Sequence, residues 1–301
     1  MTLTILTPTY QRKNNLIKLY NSLCHQTKLD FEWLVIDDGS TDGTGDLVND
    51  WIDDAPFQLR YYYKENGGKQ TALNYSYQHI ESELIFIVDS DDYLTEDSVE
   101  TILFYHEKYG NTTNLCGYSF WRLFPDGRVN GKTFEKDEMI CSFFESRILT
   151  NDLSDKAEVW FADALKSHPF PEFDGEKCYP EDGIWLRISG PMKMVHINKG
   201  IYIGDYLEGG LTDMTIGKRM RSWPKGMVDR SMVYLSYNVN GIQSSFKILI
   251  KHSLLYIMYG VYGAKYSMRK LYTECPRKGL FILCWIPAML LGEWHYARKW
   301  Y

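Results

Sequence analysis

No two of the six cysteines are close enough to form a CxxC pair: Cys24, Cys116, Cys141, Cys178, Cys275 and Cys284 are scattered along 301 residues. That spacing argues against a zinc ribbon or a disulfide framework and reads as the reduced thiols of a cytosolic protein. A basic excess is also missing. The formal net charge is −6, whereas a protein that reads a phosphate backbone carries a positive surplus or patch, so no nucleic-acid partner is expected. The chain opens on an apolar strand and a turn without the basic n-region of a signal peptide, which predicts a protein that stays in the compartment where it is made. Neither a P-loop nor a GxGxxG occurs, so ATPase and dinucleotide-dehydrogenase readings have no support. Apolar runs are short: Leu280 to Leu291 has twelve residues with Pro287 inside, below the ~20 that a membrane-spanning helix needs. What remains, 45% hydrophobic and 24% charged residues, is ordinary globular composition, enough for one large α/β domain or a domain with an appendage.

The first part of the chain alternates. Leu3 to Leu6 reads as a strand, Thr7 to Tyr10 as a turn, and Asn14 to Cys24 as a helix with Leu16, Leu19, Tyr20 and Leu23 at helical spacing. A strand follows over Phe31 to Ile36, a helix from Thr44 or Gly45, a strand over Phe57 to Tyr63, a helix from Thr71 to His79, and the continuous apolar strand Leu84 to Val88. This βαβαβαβ rhythm predicts an α/β fold: a Rossmann-like, mostly parallel central sheet with flanking helices and a ligand crevice outside the carboxyl ends of the strands. Four strands end in the polar loops TPTYQR, DDGSTD, ENGGKQ and DSDD, which describe one wall of a cleft. Farther on, the pattern predicts a helix over Ser98 to Tyr109, a strand over Asn114 to Phe124, a hairpin turn on PDGR, a helix over Val159 to Lys166, and two short strands between Lys193 and Ile203. A Gly-containing loop from Tyr206 to Thr212 has the character of a lid.

Chemistry concentrates in the fourth loop. Asp89, Asp91 and Asp92 repel one another and resist desolvation, so a cation is the expected compensation; oxygen-only ligands suit Mn²⁺ or Mg²⁺, which complete their shells with phosphate oxygens. The plain alternative is a solvated acidic turn. Asn66 to Lys69 offers backbone N–H groups before a helix and one cation, a seat for a ribose or diphosphate edge. Glu181 and Asp182 precede a helical segment, either as acid–base chemistry or as acids favoured at a helix start. Glu172 and Glu176 belong to the same acidic cluster, as acceptor contacts or solvated groups. Trp121 and Arg122 line a sugar pocket or pack beneath it, and His168 and His196 are read as structural, not as further metal ligands.

In order and spacing, TPTYQR, VIDDGSTDGT, NGGKQTALN and VDSDD resemble the nucleotide-sugar-binding half of the family 2 glycosyltransferases, which have the GT-A fold. FPEFDGEKCYPEDGIW, Phe170 to Trp185, resembles the acceptor-side block of bacterial polysaccharide-assembly members. The resemblance implies a GT-A domain over residues 1–215, with a donor half 1–95 and an acceptor half 96–215. It implies a metal-dependent, inverting hexosyltransferase that uses a nucleotide sugar, taken as a UDP-sugar, and a hydroxyl of a glycan or lipid-linked acceptor. Donor contacts then fall on Thr7, Pro8, Tyr10, Arg12, Asp38, Asn66, Lys69, Asp89 and Ser90. Pro8 and Tyr10 would flank a uracil ring, and Asp38 would accept its N3 proton, unless it serves as a helix cap or Asx-turn. Asp91 is the implied metal ligand with Asp92 as second candidate, Asp182 the implied base, and Glu172, Glu181 and Trp121 the acceptor contacts. Two rival readings stand beside it: an inactive carbohydrate-binding or scaffold protein of the same fold, and a sugar-nucleotide nucleotidyltransferase, whose Gly-rich, Arg-containing loop TPTYQRKNN matches poorly.

Residues 216–301 change character and predict a helical appendage. Phe246 to Tyr262 and Leu280 to Leu291 are apolar and aromatic, flanked by Lys247, Lys251, Lys265, Arg269, Lys270, Arg277, Lys278, Arg298 and Lys299. Such a segment suits a membrane interface or, equally, a packing module or homo-oligomer contact. The resemblance, through lipid carriers at the cytoplasmic face, implies a cytoplasmic protein with peripheral contact at the inner face of the plasma membrane.

Overall fold

Every residue of the first strand, β1 (Leu3–Thr9), is buried, and parallel neighbours pair with both its edges: β2 (Glu32–Asp37) on one side and β4 (Leu84–Ile87) on the other. The computed structural model of the protein describes residues 1–152, 154–204, 214–239 and 241–297. The lid expected over Tyr206 to Thr212 and the flanking cations Arg298 and Lys299 lie outside the described residues. The chain forms two compact units, Met1–Pro169 with Pro191–Asp205, and Phe170–Gly190 with Tyr206–Tyr301. The PEDG block thus belongs to the second unit, whereas the sequence reading ended the first domain at residue 215.

In the first unit, β3 (Gln58–Tyr63) pairs in parallel with β2, giving the order β3-β2-β1-β4. The connecting helices are α1 (Lys13–Cys24), α2 (Thr44–Ile52) and α3 (Lys69–Ser76). Leu16, Leu19 and Leu23 of α1 are buried, as helical spacing of apolar residues requires. Beyond β4 the sheet continues through β8 (Lys156–Phe161), β6 (Leu115–Leu123), β9 (Lys193–Ile203) and β5 (Tyr93–Leu94), with β7 (Met139–Cys141) also on β9. The helix α4 (Ser98–Tyr109) links β5 to β6. The pairings of β4 with β8, β6 with β8, β5 with β9 and β7 with β9 are antiparallel, so the sheet is parallel from β3 to β4 and mixed beyond it.

Three sequence expectations change here. Thr7 to Thr9 is strand, not turn, because Thr7, Pro8 and Thr9 stay in register with Val35, Ile36 and Asp37. Val159 to Phe161 extends β8 antiparallel to β4, and only the helix α5 (Ala162–Lys166) follows; Val159 and Trp160 fill the sheet core. Lys193 to Ile203 is a single eleven-residue strand, whose pairing with β6 absorbs irregularities as bulges.

The second unit is helical: α6 (Asp182–Ser189), α7 (Ile216–Ser222), α8 (Pro224–Ser236), α9 (Phe246–Met258), α10 (Met268–Glu274) and α11 (Lys278–Ala297), with a small hairpin of β10 (Asn238–Val239) and β11 (Ile242–Gln243). Thr215, Ser245 and Ser267 cap α7, α9 and α10 by accepting from Lys218, Ile248 and Lys270 N–H groups. Trp223, Met227, Leu235, Tyr256, Leu271, Phe281 and Ala288 form its core. The helix α11 runs 20 residues through Pro287, so the twelve-residue length assigned from sequence is too short. It is long and apolar enough to cross a bilayer by length and composition, with 22% of its most apolar window buried.

Candidate active site

Asp38, directly after β2, is the clasp that joins the loops after β2 and β3. Its carboxylate accepts from the backbone N–H groups of Gly67 (2.9 Å) and Gly68 (2.7 Å), from Lys64 Nζ (2.7 Å) and from Asn66 Nδ2 (3.2 Å). A Cβ on Gly39, whose φ is +91°, would lie 2.8 Å from the Asn66 nitrogen; a glycine is what lets the DDG turn close against the NGG loop. The sequence reading needed a free acceptor at Asp38 and free amides at residues 67 and 68. In the structure these groups bond to one another, which orders the loop. Asp37 beneath them accepts from Ser40 N–H (2.7 Å) and Tyr61 Oη (2.8 Å).

The TPTY segment is likewise engaged within the fold. Thr7 is buried and its Oγ1 accepts from Trp33 Nε1 at 3.0 Å; Pro8 is buried in the sheet. Tyr10, 49% exposed, is the aromatic surface this turn does present. Gln11 then takes a left-handed φ of 53°, and its N–H donates to Ser40 Oγ (2.9 Å) while its side chain pairs with Thr41. The loops after β1 and β2 are therefore tied together.

At the end of β4 three acids meet three cations. Asp89, Asp91 and Asp92 each offer a carboxylate oxygen within 4.8 Å of the others. Lys69 Nζ is 2.5 Å from Asp89 Oδ1, Arg12 is 3.8 Å from Asp91 Oδ2, and Arg122 is 3.2 Å from Asp92. Tyr202 Oη on β9 donates to Asp92 Oδ2 (2.6 Å) and accepts the Asp89 N–H (3.1 Å). A Cβ on Gly204 would fall 2.0 Å from Asp92 Oδ1, so the chain leaving β9 lies directly on this acid. Burial works against the charged form of Asp89, but Lys69, Arg122 and Arg12 hold its carboxyl below the usual range. Burial, with the charges of Asp89 and Asp91, pushes Asp92 up to about 7 against the pull of Arg122. Ser90, between them, is buried.

This donor set fits a hard divalent cation: all ligands are carboxylate oxygens, and Asp91 is held loosely. Asp92 is turned onto Tyr202 and Arg122 and fits less well than Asp89 with Asp91. Lys64, Arg122 as a partner of Asp92, and Tyr202 were not found by sequence reasoning; Tyr202 and Asp92 are 110 positions apart, and no local pattern joins them. Trp121 on β6 is half-buried, with its Nε1 enclosed and without a hydrogen-bond partner among the described residues.

In the second unit Asp182 opens α6. Arg230 Nε lies 2.7 and 2.9 Å from its two oxygens, and Tyr234 Oη donates to Oδ2 at 2.8 Å. Burial opposes ionisation of Asp182, yet Arg230 and Tyr234 hold its carboxyl below the ordinary value. Glu176 is buried and accepts from Lys225 N–H (2.7 Å) and Gly226 N–H (2.9 Å), capping the start of α8; it is neither solvated nor directed to an acceptor. Glu181 is half-buried just before α6 and Glu172 is exposed.

The profile described as Glycosyl transferase family 2 matches residues 4–158, the span that contains the loops after β1, β2, β3 and β4. The chain belongs to this family. The glycosyltransferase GlyA of Streptococcus pneumoniae is 25% identical over 240 residues, covering 76% of this chain and 34% of GlyA. A hyaluronan synthase of Pasteurella multocida is 28% identical over 212 residues, 66% of this chain and 20% of that protein. The chain thus spans about a third of the first relative and a fifth of the second. Among solved structures, Staphylococcus aureus TarS 1–349 in complex with UDP-GlcNAc superposes with a TM-score of 0.66 at 18% identity, covering 98% of this chain and 82% of that one. That likeness shows the GT-A fold for this family 2 member.

Proposed function

We propose that the chain transfers a hexosyl group from a nucleotide-sugar donor, a UDP-sugar, to a hydroxyl of a glycan or lipid-linked acceptor in cell-surface polysaccharide synthesis. The observation that carries this reading is the triad Asp89, Asp91 and Asp92, ringed by Lys69, Arg12 and Arg122 at the carboxyl ends of a parallel sheet. Alternating acids and cations suit a diphosphate brought in with a divalent ion. The relatives' names support the polysaccharide context, and the TarS complex supports UDP as the nucleotide.

Asp89 and Asp91 would hold Mn²⁺ or Mg²⁺, which when bound supplies Lewis-acid neutralisation of charge on the departing nucleoside diphosphate. Lys69 and Arg12 place further positive charge beside the same acids, and Tyr10 offers an aromatic face for the base. The acceptor oxygen forms a bond to the anomeric carbon, the bond from that carbon to the diphosphate oxygen breaks, and its electron pair leaves with the diphosphate. The hydroxyl proton goes to a carboxylate. Asp182 is the assigned base: Arg230 and Tyr234 fix its orientation and keep it ionised, and a single displacement assisted by one base inverts the anomeric carbon.

The test measures UDP-sugar turnover with Mn²⁺ for the whole chain and for Asp91→Ala and Asp182→Asn. Each substitution is expected to lower kcat by about 10²-fold or more. Unchanged turnover in both would refute the assignments, and a chain that binds UDP-sugars without turning any over would favour the inactive carbohydrate-binding reading. Calorimetry across a panel of sugar nucleotides identifies the donor.

A further inference from the structure

The chain is divided in charge. Residues 216–297 carry twelve Lys and Arg against three Asp and Glu, net +9, in a protein whose total is −6. The same segment carries the largest run of exposed apolar side chains among the described residues: Ile282 (60%), Leu283 (59%), Ile286 (58%) and Leu290 (67%), with Trp285 and Trp294 beside them, all on α11. The opposite stripe of that helix, Phe281, Cys284, Ala288 and Gly292, is buried within the second unit. Cations bracket the helix. Lys278 is its first residue, and near its last turn Arg221 donates to the Tyr296 carbonyl (3.2 Å) while Lys265 Nζ sits 4.5 Å from the Tyr296 ring. At the start of α9, Phe246 is 67% exposed and is followed by exposed Lys247.

We infer that this face is a docking surface for an anionic lipid bilayer, with α11 lying in the plane of the interface and its apolar stripe among the acyl chains. A second copy of the chain fits it poorly, because an isologous contact would bring the bracketing cations of the two copies together. A spanning helix fits poorly too, because one stripe of α11 is already committed to its own unit. Anionic headgroups satisfy the bracketing cations, tryptophans suit the headgroup boundary, and the apolar side chains gain a medium other than water. The inference does not depend on the transferase reading, since lipid binding needs no donor.

Co-sedimentation of the whole chain with vesicles of phosphatidylcholine and phosphatidylglycerol (7:3) is the direct test. Binding at 50 mM NaCl is expected to be at least tenfold tighter than to phosphatidylcholine alone and to fall at least tenfold at 500 mM NaCl. The double substitution Ile286→Glu with Leu290→Glu, both exposed positions, is expected to lower binding at least tenfold with unchanged far-UV circular dichroism and UDP binding. Lys247→Gln, Lys265→Gln and Lys278→Gln together are expected to remove the preference for phosphatidylglycerol. Equal affinity of the wild-type chain for both vesicle types, or no binding to either, overturns the inference. So does a micromolar dimer in sedimentation equilibrium that Leu290→Glu dissociates.

Discussion

Replacing Asp38 with asparagine tests whether the donor loop is held by its carboxylate. The substitution keeps the shape, but one of two acceptor oxygens becomes an NH₂ group. Whichever way the amide turns, two of the four donors, Gly67 N–H, Gly68 N–H, Lys64 Nζ and Asn66 Nδ2, then face another donor. Hydrogen bonds to a charged acceptor contribute ~1.5–3 kcal/mol each, and removing one partner of an enclosed ion pair costs ~3–5 kcal/mol; the side chains of Lys64 and Asp38 are 18% and 4% exposed. Because the two losses overlap, the expected destabilisation is about 4 kcal/mol. At ~2–4 °C per kcal/mol for a unit of this size, the melting temperature should fall by about 8–16 °C. Amide exchange resolved at Gly67 and Gly68 would report the same event locally, through loss of protection at those two sites while β1 and β4 keep theirs. A melting temperature within about 2 °C of wild type, with exchange at both glycines unchanged, would refute the clasp.

Tyr202→Phe removes the hydroxyl that serves both Asp92 and the Asp89 N–H; the urea midpoint should drop by an amount equivalent to ~2 kcal/mol. Asp91→Ala should abolish the Mn²⁺-dependent part of UDP binding in calorimetry while leaving the melting temperature nearly unchanged, since this acid is loosely held by Arg12 at 3.8 Å. His196, fully buried on β9, is pushed down to about 4 by burial and by the charge of Arg147, against the bond to the Cys141 carbonyl. A depressed folded-state value means the unfolded chain takes up the proton first. The associated stability is therefore present above pH ~6.5 and is lost on falling toward pH ~4, at ~1.4 kcal/mol per pH unit and ~3 kcal/mol in all. His196→Gln should flatten this part of the stability profile between pH 7 and 4.5, measured by denaturant titration; an unchanged slope would show that His196 is not its source.

How much of this was legible follows from how far each interaction reaches along the chain. The four parallel strands were visible because apolar runs and helical periodicity are local, and the loops were visible because their glycines and acids are contiguous. Thr7 and Pro8 were misread as turn residues because a proline after a threonine looks like punctuation, whereas here the parallel register with Val35 and Ile36 carries the strand through to Thr9. Val159 was misread because an antiparallel partner, β4, lies more than seventy positions earlier. The site failed to be legible for the same reason: Lys64, Arg122, Tyr202 and Arg230 act on acids 26, 30, 110 and 48 residues away. A run of acids reveals where charge collects but not which of them is already satisfied. Among the described residues, Asp38 has four donors and Asp92 is closed in by Tyr202 and Arg122, while Asp91 has a single distant guanidinium. Identical side chains at neighbouring strand ends are thus unequal. A carboxylate whose lone pairs are spent must lose a bond to gain a ligand, whereas one that is half-solvated exchanges water at little cost. Asp91 is therefore the acid of this cleft best prepared to take a new partner.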